Sequence, residues 1–450
     1  MGFFKAYDMR GTYGVDFDLD LVRKIGYYLP SVVKGTRYLI GRDCRVTSEN
    51  IRNALVEGLV ASGVEVVDMG LCTTPMVYYF TAKDDFDGSV MITASHNPPS
   101  DNGLKVSKRT ALPVGYAAGL DRVESLCQLG TVPKKTDNQL GTVPKNFGTV
   151  PSYKDRYIAF LKEKARDFSN LRFGVDVSNG MASLLAKDIF PEATIINDAL
   201  DGTFPCHSPN PLAAEAREQI SSLVRAEKLD LGVIFDGDAD RAMFVDEEGR
   251  FIQPDYLIPV VARSLGDKGK VLHDVRTSRG AIEVLKESGF DPVMVPVGHA
   301  FAKPKMRETG AVCGGELAGH YYFRDFFGCD SGFLAVLAVL AEASKAKAKG
   351  LKFSEMMRPI VSRYANSGEI NFKVESKESS VKHALDAAKA NFSVPISESN
   401  IDGIRIDYAE GWFNLRASNT EPYLRLVAEC DTKDRLEKWL EILKKGIIAV

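Results

Sequence analysis

Apolar and polar positions along the chain alternate in a way that predicts repeated strand–helix–strand units. Tyr38-Leu39-Ile40 is a short apolar strand, Ile51 to Ala61 carries a helical period, and Val64-Glu65-Val66-Val67 returns as a strand. A second unit opens with Phe173-Gly174-Val175-Asp176-Val177, turns at Ser178-Asn179-Gly180, runs helical through Leu184-Leu185 and comes back as Thr194-Ile195-Ile196. The third is a strand from Val271 to Val275, a helix from about Arg279 to Lys286 and the strand Val293-Met294-Val295. Each unit is paired with a further apolar strand that ends in a loop of polar chemistry. These are Val90-Met91-Ile92 before Ser95, Leu231 to Phe235 before Asp236, and Ala311-Val312-Cys313 before Glu316. From about Ser367 the pattern changes to a strand Ile370 to Val374, a helix near Val381 to Ala390 and strands around Ile404, Phe413 and Leu424. A closing helix puts Leu436, Trp439, Leu440, Leu443 and Ile447 on one face, as core packing requires.

The expected fold is therefore α/β: three related mixed-sheet α/β domains plus a C-terminal α+β domain, divided at 1–150, 151–250, 251–366 and 367–450. Gly-Thr-Val-Pro recurs at Gly130, Gly141 and Gly148 amid Lys, Asn and Gln, which reads as a surface linker with local duplication and no chemistry.

At 450 residues the chain is too long for one core. Its formal net charge of −3 argues against a polyanionic partner, so nucleic acid is not expected and any phosphate-binding cations must be local. Seven scattered cysteines without a C-x-x-C pair fit reduced thiols and a cytoplasmic setting. The start is charged too early for a signal peptide, and the apolar run from Phe333 to Ala341 is too short to span a bilayer, so no membrane partner is expected.

Ser95 lies in Thr93-Ala94-Ser95-His96-Asn97-Pro98, at the carboxyl end of a strand, where open α/β sheets bind ligands. Such residues also make ordinary turns, so Ser95 gains weight only from its company. Asp236-Gly237-Asp238-Ala239-Asp240-Arg241 sets three carboxylates at alternate positions, an arrangement that repels itself unless a cation sits among them. An EF-hand is excluded, because Arg241 takes the sixth position where that loop needs glycine and the flanks are strands. Magnesium suits the triplet if a phosphate oxygen completes its octahedron. Arg416-Ala417-Ser418-Asn419-Thr420 offers a guanidinium fork, hydroxyls, an amide and backbone N–H groups, the makings of a phosphate cradle. Gly314-Gly315-Glu316-Leu317-Ala318-Gly319-His320 lets backbone approach a ligand closely and offers one carboxylate to sugar hydroxyls. Val297-Gly298-His299, with Lys303, Lys305 and Arg307, is a candidate source of proton transfer and charge, and Arg10 and Arg276 are candidate phosphate contacts.

Jointly these motifs, with the start Phe4-Lys5-Ala6-Tyr7-Asp8-Met9-Arg10-Gly11, resemble the α-D-phosphohexomutase superfamily and its phosphomannomutase/phosphoglucomutase branch, nearly end to end. The resemblance implies four domains around a central cleft, each giving one loop: phosphoserine (Thr93 to Pro98), metal (Asp236 to Arg241), sugar specificity (Gly315 to His320) and phosphate (Arg416 to Thr420). It implies catalytic roles for Ser95, His96, Lys105, Arg10, Arg241 and His299. Substrate contacts fall on Tyr7, Arg276, Gly298, Glu316, Ala318, Arg416, Ser418, Asn419 and Thr420, and metal ligation on Ser95, Asp236, Asp238 and Asp240. The implied reaction moves phosphate between C1 and C6 of mannose or glucose through phosphoserine and a hexose 1,6-bisphosphate, with Mg²⁺ as cofactor, a phosphosugar as partner and a monomer or homodimer as the assembly. Lys105 and His299 both remain open as general base. A phosphoglucosamine mutase is the alternative within the family. A non-catalytic metal-binding α/β protein leaves the Arg416 loop idle, and a serine hydrolase lacks its Gly-x-Ser-x-Gly elbow.

Three positions depart from the family pattern. Ala318 replaces a serine and removes a hydroxyl from the sugar loop, Arg276 stands where lysine is expected, and Ala239 replaces a glycine. The last is expected to matter little unless that position needs a positive φ.

Overall fold

The structure is a computed structural model that describes residues 2–132, 152–417 and 423–448. Its first three sheets share one plan. In the first, Arg37–Arg42 pairs parallel with both Glu65–Leu71 and Gly88–Ile92, and the chain then reverses into the antiparallel strand Asp101–Lys108, which Met9–Thr12 edges. In the second, Phe173–Asp176 lies parallel to Thr194–Ile196 and Leu231–Phe235, and Ala242–Asp246 returns antiparallel. In the third, Lys270–Asp274 lies parallel to Asp291–Val295 and Cys313–Gly315, and Tyr321–Phe323 returns antiparallel. The three polar loops occupy the same place in each sheet, the reversal from the last parallel strand into its antiparallel partner. Ser95, Asp236 and Glu316 are thus topological equivalents.

The fourth sheet is antiparallel throughout, ordered Ala365–Asn366, Tyr423–Cys430, Gly411–Ala417, Ile404–Asp407, Ser397–Ser399, with Ile370–Lys373 also on Tyr423–Cys430. Helices Lys377–Asn391 and Lys433–Ile448 pack against one another beside it. Leu436, Trp439, Leu443 and Ile447 are buried and Leu440 packs against them, as their helical spacing requires. Two short strands fall just across the divisions drawn from the sequence: Phe251–Ile252 belongs to the second sheet and Ala365–Asn366 to the fourth. Hydrogen-bond pairing assigns them, the first to the adjacent strand Ala242–Asp246 and the second to the distant Tyr423–Cys430, and a two-residue strand carries no hydrophobic pattern of its own.

One helix departs from expectation. The run after Gly180 is a single tight turn, Met181–Leu184, followed by the short helix Ala186–Ile189. Met181 N donates to Gly237 O at 2.9 Å, and this contact with the metal loop takes the place of continued helix. The Gly-Thr-Val-Pro segments at Gly141 and Gly148 lie outside the described residues.

The first three sheets share one continuous apolar core, running through Leu39, Tyr157, Val175, Phe235, Val271, Tyr321 and Phe333. The fourth has a core of its own. Its junction with the third is largely polar: Arg405 donates to Val275 O at 2.6 Å, and Arg279 donates to Tyr408 O at 2.8 Å and Gly411 O at 3.0 Å. No helix among the described residues is long and apolar enough to cross a membrane.

Candidate active site

Ser95 sits three residues beyond the strand Gly88–Ile92 in the left-handed region, φ +51°, and its backbone N–H donates to Thr93 Oγ1 at 2.8 Å. The hydroxyl is buried and donates to Asp236 Oδ2 at 2.7 Å, across 141 positions of sequence. Gly237 makes this approach possible, since a Cβ there would lie 2.5 Å from Ser95 O. The loop is held from behind by Arg45. Its guanidinium donates to the carbonyls of Ser95 (2.9 Å), Asn97 (2.7 Å), Pro98 (2.6 Å) and Asp101 (2.9 Å), and is neutralised by Asp43.

Asp236, Asp238 and Asp240 are buried with one oxygen of each within 4.8 Å of the others, a group able to hold a metal ion. Burial, then the neighbouring Asp240 and Asp238, drives the Asp236 carboxyl well above its usual range. Burial works the same way on Asp238, but Lys105 Nζ outweighs it at 2.7 Å and holds that carboxyl low. Lys105 also donates to Asp240 Oδ2 at 2.7 Å, and Thr74 Oγ1 donates to Asp238 Oδ2 at 2.5 Å. Asp238 Oδ1 and Asp240 Oδ1 are buried without a hydrogen-bond partner. Three carboxyl groups, two of them with unmatched oxygens, beside an exchangeable hydroxyl, form a hard-oxygen site suited to a divalent cation such as Mg²⁺. The second acidic group, Asp240, His320 and Asp330, has its cation built in: Asp330 is 2.7 Å from Lys303 Nζ and 2.7 Å from His320 Nδ1.

Among the other predicted residues, Arg241, His96 and Arg10 adjoin the serine and metal loops. Arg241 Nε lies 3.5 Å from Asp236 Oδ2, and its Nη2 hydrogen-bonds His96 Nδ1. Burial, then Arg241, lowers the His96 imidazole well below its usual pKa, so it is neutral. Arg10 donates to Asn97 Oδ1 at 3.0 Å and pairs with Asp8 at 2.6 Å. Gly298, at φ +118°, turns the chain under the Tyr7 ring, and Phe301 meets that ring edge-on at 5.6 Å. His299 opens the helix His299–Thr309. Its Nδ1 is buried without a partner, and burial, then Lys303, keeps the ring neutral. Glu316 is buried and accepts from Tyr322 OH at 2.6 Å, with burial raising its carboxyl. Ala318 is half-buried in the turn that Gly319 N closes on Glu316 O. The sugar and metal loops are stitched together where Ala242 N donates to Gly319 O and Arg241 bridges His320. Arg276 pairs with Asp274 at 2.7 Å and Glu369 at 2.8 Å, and Arg416 approaches Glu369 at 3.7 Å. Ser418, Asn419 and Thr420 lie outside the described residues.

Two expectations change. Ala239 has φ +61°, so its position does require the left-handed conformation and glycine's absence there matters. Lys303, Lys305 and Arg307 do not supply charge to a phosphate: Lys303 is fully buried against Asp330, Lys305 pairs with Glu308, and Arg307 donates to Thr110 O and Phe327 O. Arg45, Thr74, Asp330 and Tyr322 were not singled out from sequence. Each is an ordinary polar residue whose partner is distant or whose burial is decided by folding, so no local pattern marks it.

Comparison with known proteins spans most of the chain. The phosphoglucomutase/phosphomannomutase family models match in order: alpha/beta/alpha domain I over residues 1–127, domain II over 155–249, domain III over 253–364 and the C-terminal domain over 369–445. The chain is 34% identical over 439 residues to a phosphomannomutase of Escherichia coli K12, covering 95% of this chain and 94% of the relative. It is 36% identical over 438 residues, with the same coverage, to a protein of Xanthomonas campestris pv. campestris named phosphohexose mutases. A crystal structure of a phosphoglucomutase/phosphomannomutase family protein from Burkholderia thailandensis superposes with a TM-score of 0.82 at 27% identity, covering 99% of this chain and 97% of that one.

Proposed function

The chain belongs to the phosphoglucomutase/phosphomannomutase family, and from that premise we propose how its own residues act as a hexose phosphate mutase. It is an isomerase that interconverts hexose 1-phosphate and hexose 6-phosphate through an active-site phosphoserine and a bisphosphorylated sugar. The sugars we assign are mannose and glucose, after the names of its relatives. The observation that carries the assignment of Ser95 is its Oγ, 2.7 Å from Asp236 inside the buried acidic triad.

Ser95 is the phosphoryl carrier. As phosphoserine its O–P bond breaks as the phosphoryl group bonds to the free hydroxyl oxygen of the bound sugar phosphate; the hydroxyl's proton passes to a neighbouring base and the departing Ser95 oxygen takes up a proton. The resulting bisphosphate turns around, and its other phosphate returns to Ser95. His299 is the better-placed base, because its neutral ring keeps Nδ1 unpartnered, whereas Lys105 is held as a cation by two aspartates. Asp236, Asp238 and Asp240 would hold Mg²⁺, which supplies charge stabilisation to the moving phosphoryl group. Arg241, kept in place by Asp236, lies beside the same group. Arg10 steadies Asn97 at the mouth of the serine loop, Arg276 and Arg416 bind the phosphate that is not reacting, and Glu316 accepts from sugar hydroxyls in either orientation. Tyr7 and Gly298 form one wall of the cleft. Closure of the fourth domain, whose core is separate, would exclude water. One chain supplies every group named, so a monomer suffices and a homodimer would leave the site unchanged. The free thiols of the described residues fit a cytoplasmic setting.

The test is direct. Supplied with mannose 1-phosphate or glucose 1-phosphate, Mg²⁺ and a trace of glucose 1,6-bisphosphate, the protein should produce the 6-phosphate. Ser95→Ala should lose turnover and phosphoryl labelling together, and full activity in that variant would overturn the assignment. Turnover on glucosamine 1-phosphate above that on both other sugars would redirect the substrate reading.

A further inference from the structure

At the seam between the third and fourth sheets, three arginines converge on one carboxylate. Glu369 accepts from Arg276 Nη1 at 2.8 Å on Oε2 and from Arg425 Nη1 at 3.1 Å on Oε1, and Arg416 Nη2 stands 3.7 Å from Oε2. Arg276 is shared with Asp274, whose Oδ2 is 2.7 Å from its Nη2. Asp274 and Glu369 thus share the Arg276 guanidinium, and withdrawal of Glu369 takes one negative charge away from all three arginines. Arg276, Glu369 and Arg425 line a cavity of about 790 Å³ that also takes in His96 and Asn97 of the serine loop. Burial opposes ionisation of Glu369, but Arg276 and then Arg425 outweigh it and hold its carboxyl low. Burial, followed by repulsion from Arg276, lowers Arg416, with Asp402 and Glu369 opposing it.

A carboxylate presents two oxygens to guanidinium forks, whereas a phosphate dianion presents three and more charge, so the two are interchangeable ligands of which phosphate is the stronger. Glu369 also follows directly on Gly368, at φ +63°, between the fourth-sheet strands Ala365–Asn366 and Ile370–Lys373. We propose that Glu369 is an internal competitor of the substrate: its carboxylate and the non-reacting phosphate of the sugar share one set of ligands, Arg276, Arg416 and Arg425. This rests on the phosphohexomutase reading for the identity of the substrate, but not for the competition itself. Weakened by the competitor, the phosphate site releases its ligand readily, which a reaction that must turn its intermediate around requires.

Titration calorimetry on the full chain, with inorganic phosphate and with glucose 6-phosphate at constant ionic strength, tests it. Glu369→Gln removes the competing charge and should tighten both by about tenfold, while Arg425→Gln should weaken both by about tenfold, the change expected for one charge-assisted hydrogen bond. In the double variant the gain from Glu369→Gln should shrink, because the two residues act on one ligand. If Glu369 merely glues the seam, its loss would weaken binding or leave it unchanged, and either result overturns the proposal. So does unaltered affinity in Arg425→Gln. Should Glu369→Gln fail to fold, Glu369→Asp withdraws the carboxylate by one methylene and is expected to tighten binding by a smaller factor; no tightening there counts equally against it. Phosphoryl labelling of Ser95, measured alongside, reports on the mutase reading separately, since ligand binding needs no turnover.

Discussion

Ala239 shows what one residue can reveal. It holds a left-handed φ of +61° in the metal loop, a conformation that costs an L-residue with a Cβ about 1–2 kcal/mol and glycine almost nothing. Glycine loses more chain entropy on folding, about 0.5–1 kcal/mol. Ala239→Gly is thus expected to stabilise the protein by up to about 1 kcal/mol, read as a rise in the urea midpoint at unchanged slope. Asp238 poses the complementary question. Asp238→Asn removes one charge from the triad and a partner of Lys105, and should weaken the magnesium dependence of turnover. An unchanged metal titration would take Asp238 out of the ligand set. The acidic triplet was plain in the sequence because its members are neighbours. Arg45 was not, although it ties four carbonyls of the serine loop, because nothing in Arg42-Asp43-Cys44-Arg45 says which charge will be buried.

Elements place these residues. A loop at each reversal from parallel to antiparallel pairing puts Ser95, Asp236 and Glu316 at equivalent points of three sheets, and close backbone approach then joins two of the loops. Gly237 is the contact, with Ser95 O at 2.5 Å from where its Cβ would be and Gly180 packed on its other side. Gly237→Ala must push the serine loop off the metal loop or distort both. Its expected effect is a fall in turnover of about a hundredfold or more, out of proportion to a modest loss of stability, since misplacement by about 1 Å suffices for that. Turnover falling by less than tenfold would mean the loops have more room than they show. The strands around Leu39 and Val233 and the closing helix around Leu443 followed the apolar pattern, whereas the eight-residue strand Asp101–Lys108 and the helix Thr74–Lys83 were not read from it. The run after Gly180 did not follow it, because a tertiary hydrogen bond to Gly237 intervenes there.

At the scale of the whole molecule, three domains fused by one core carry a fourth on a polar seam, and that seam has a pH dependence of its own. Asp255 is fully buried and its backbone-facing oxygen accepts from Ser278 N at 2.8 Å. Burial, only partly offset by that bond and reinforced by Glu429 and Asp274, pushes its carboxyl up to about 7. An acid whose pKa rises on folding stabilises the fold below its unfolded value, near 4, and loses that contribution as the pH climbs through the folded one. Between about pH 4 and 7 this amounts to roughly 3–4 kcal/mol at most. Thermal midpoints should therefore fall across that window, and Asp255→Asn should flatten the decline. An equally steep decline in the variant would assign it to other groups.

Sequence alone settled whatever depends on neighbours along the chain. The period of apolar residues set the strands around Leu39 and Val233 and the helix around Leu443, and alternate aspartates marked a group able to hold a cation. Those are local facts, written within a dozen residues at most. Tertiary structure decided the rest: that Ser95 lies 2.7 Å from Asp236, that Lys105 rather than Lys303 reaches the triad, that Ala239 is left-handed, and that Glu369 draws three arginines to itself. Burial and charge pairing are properties of groups brought together from distant parts of the chain, and their energies exist only once the folded chain has removed the water between them.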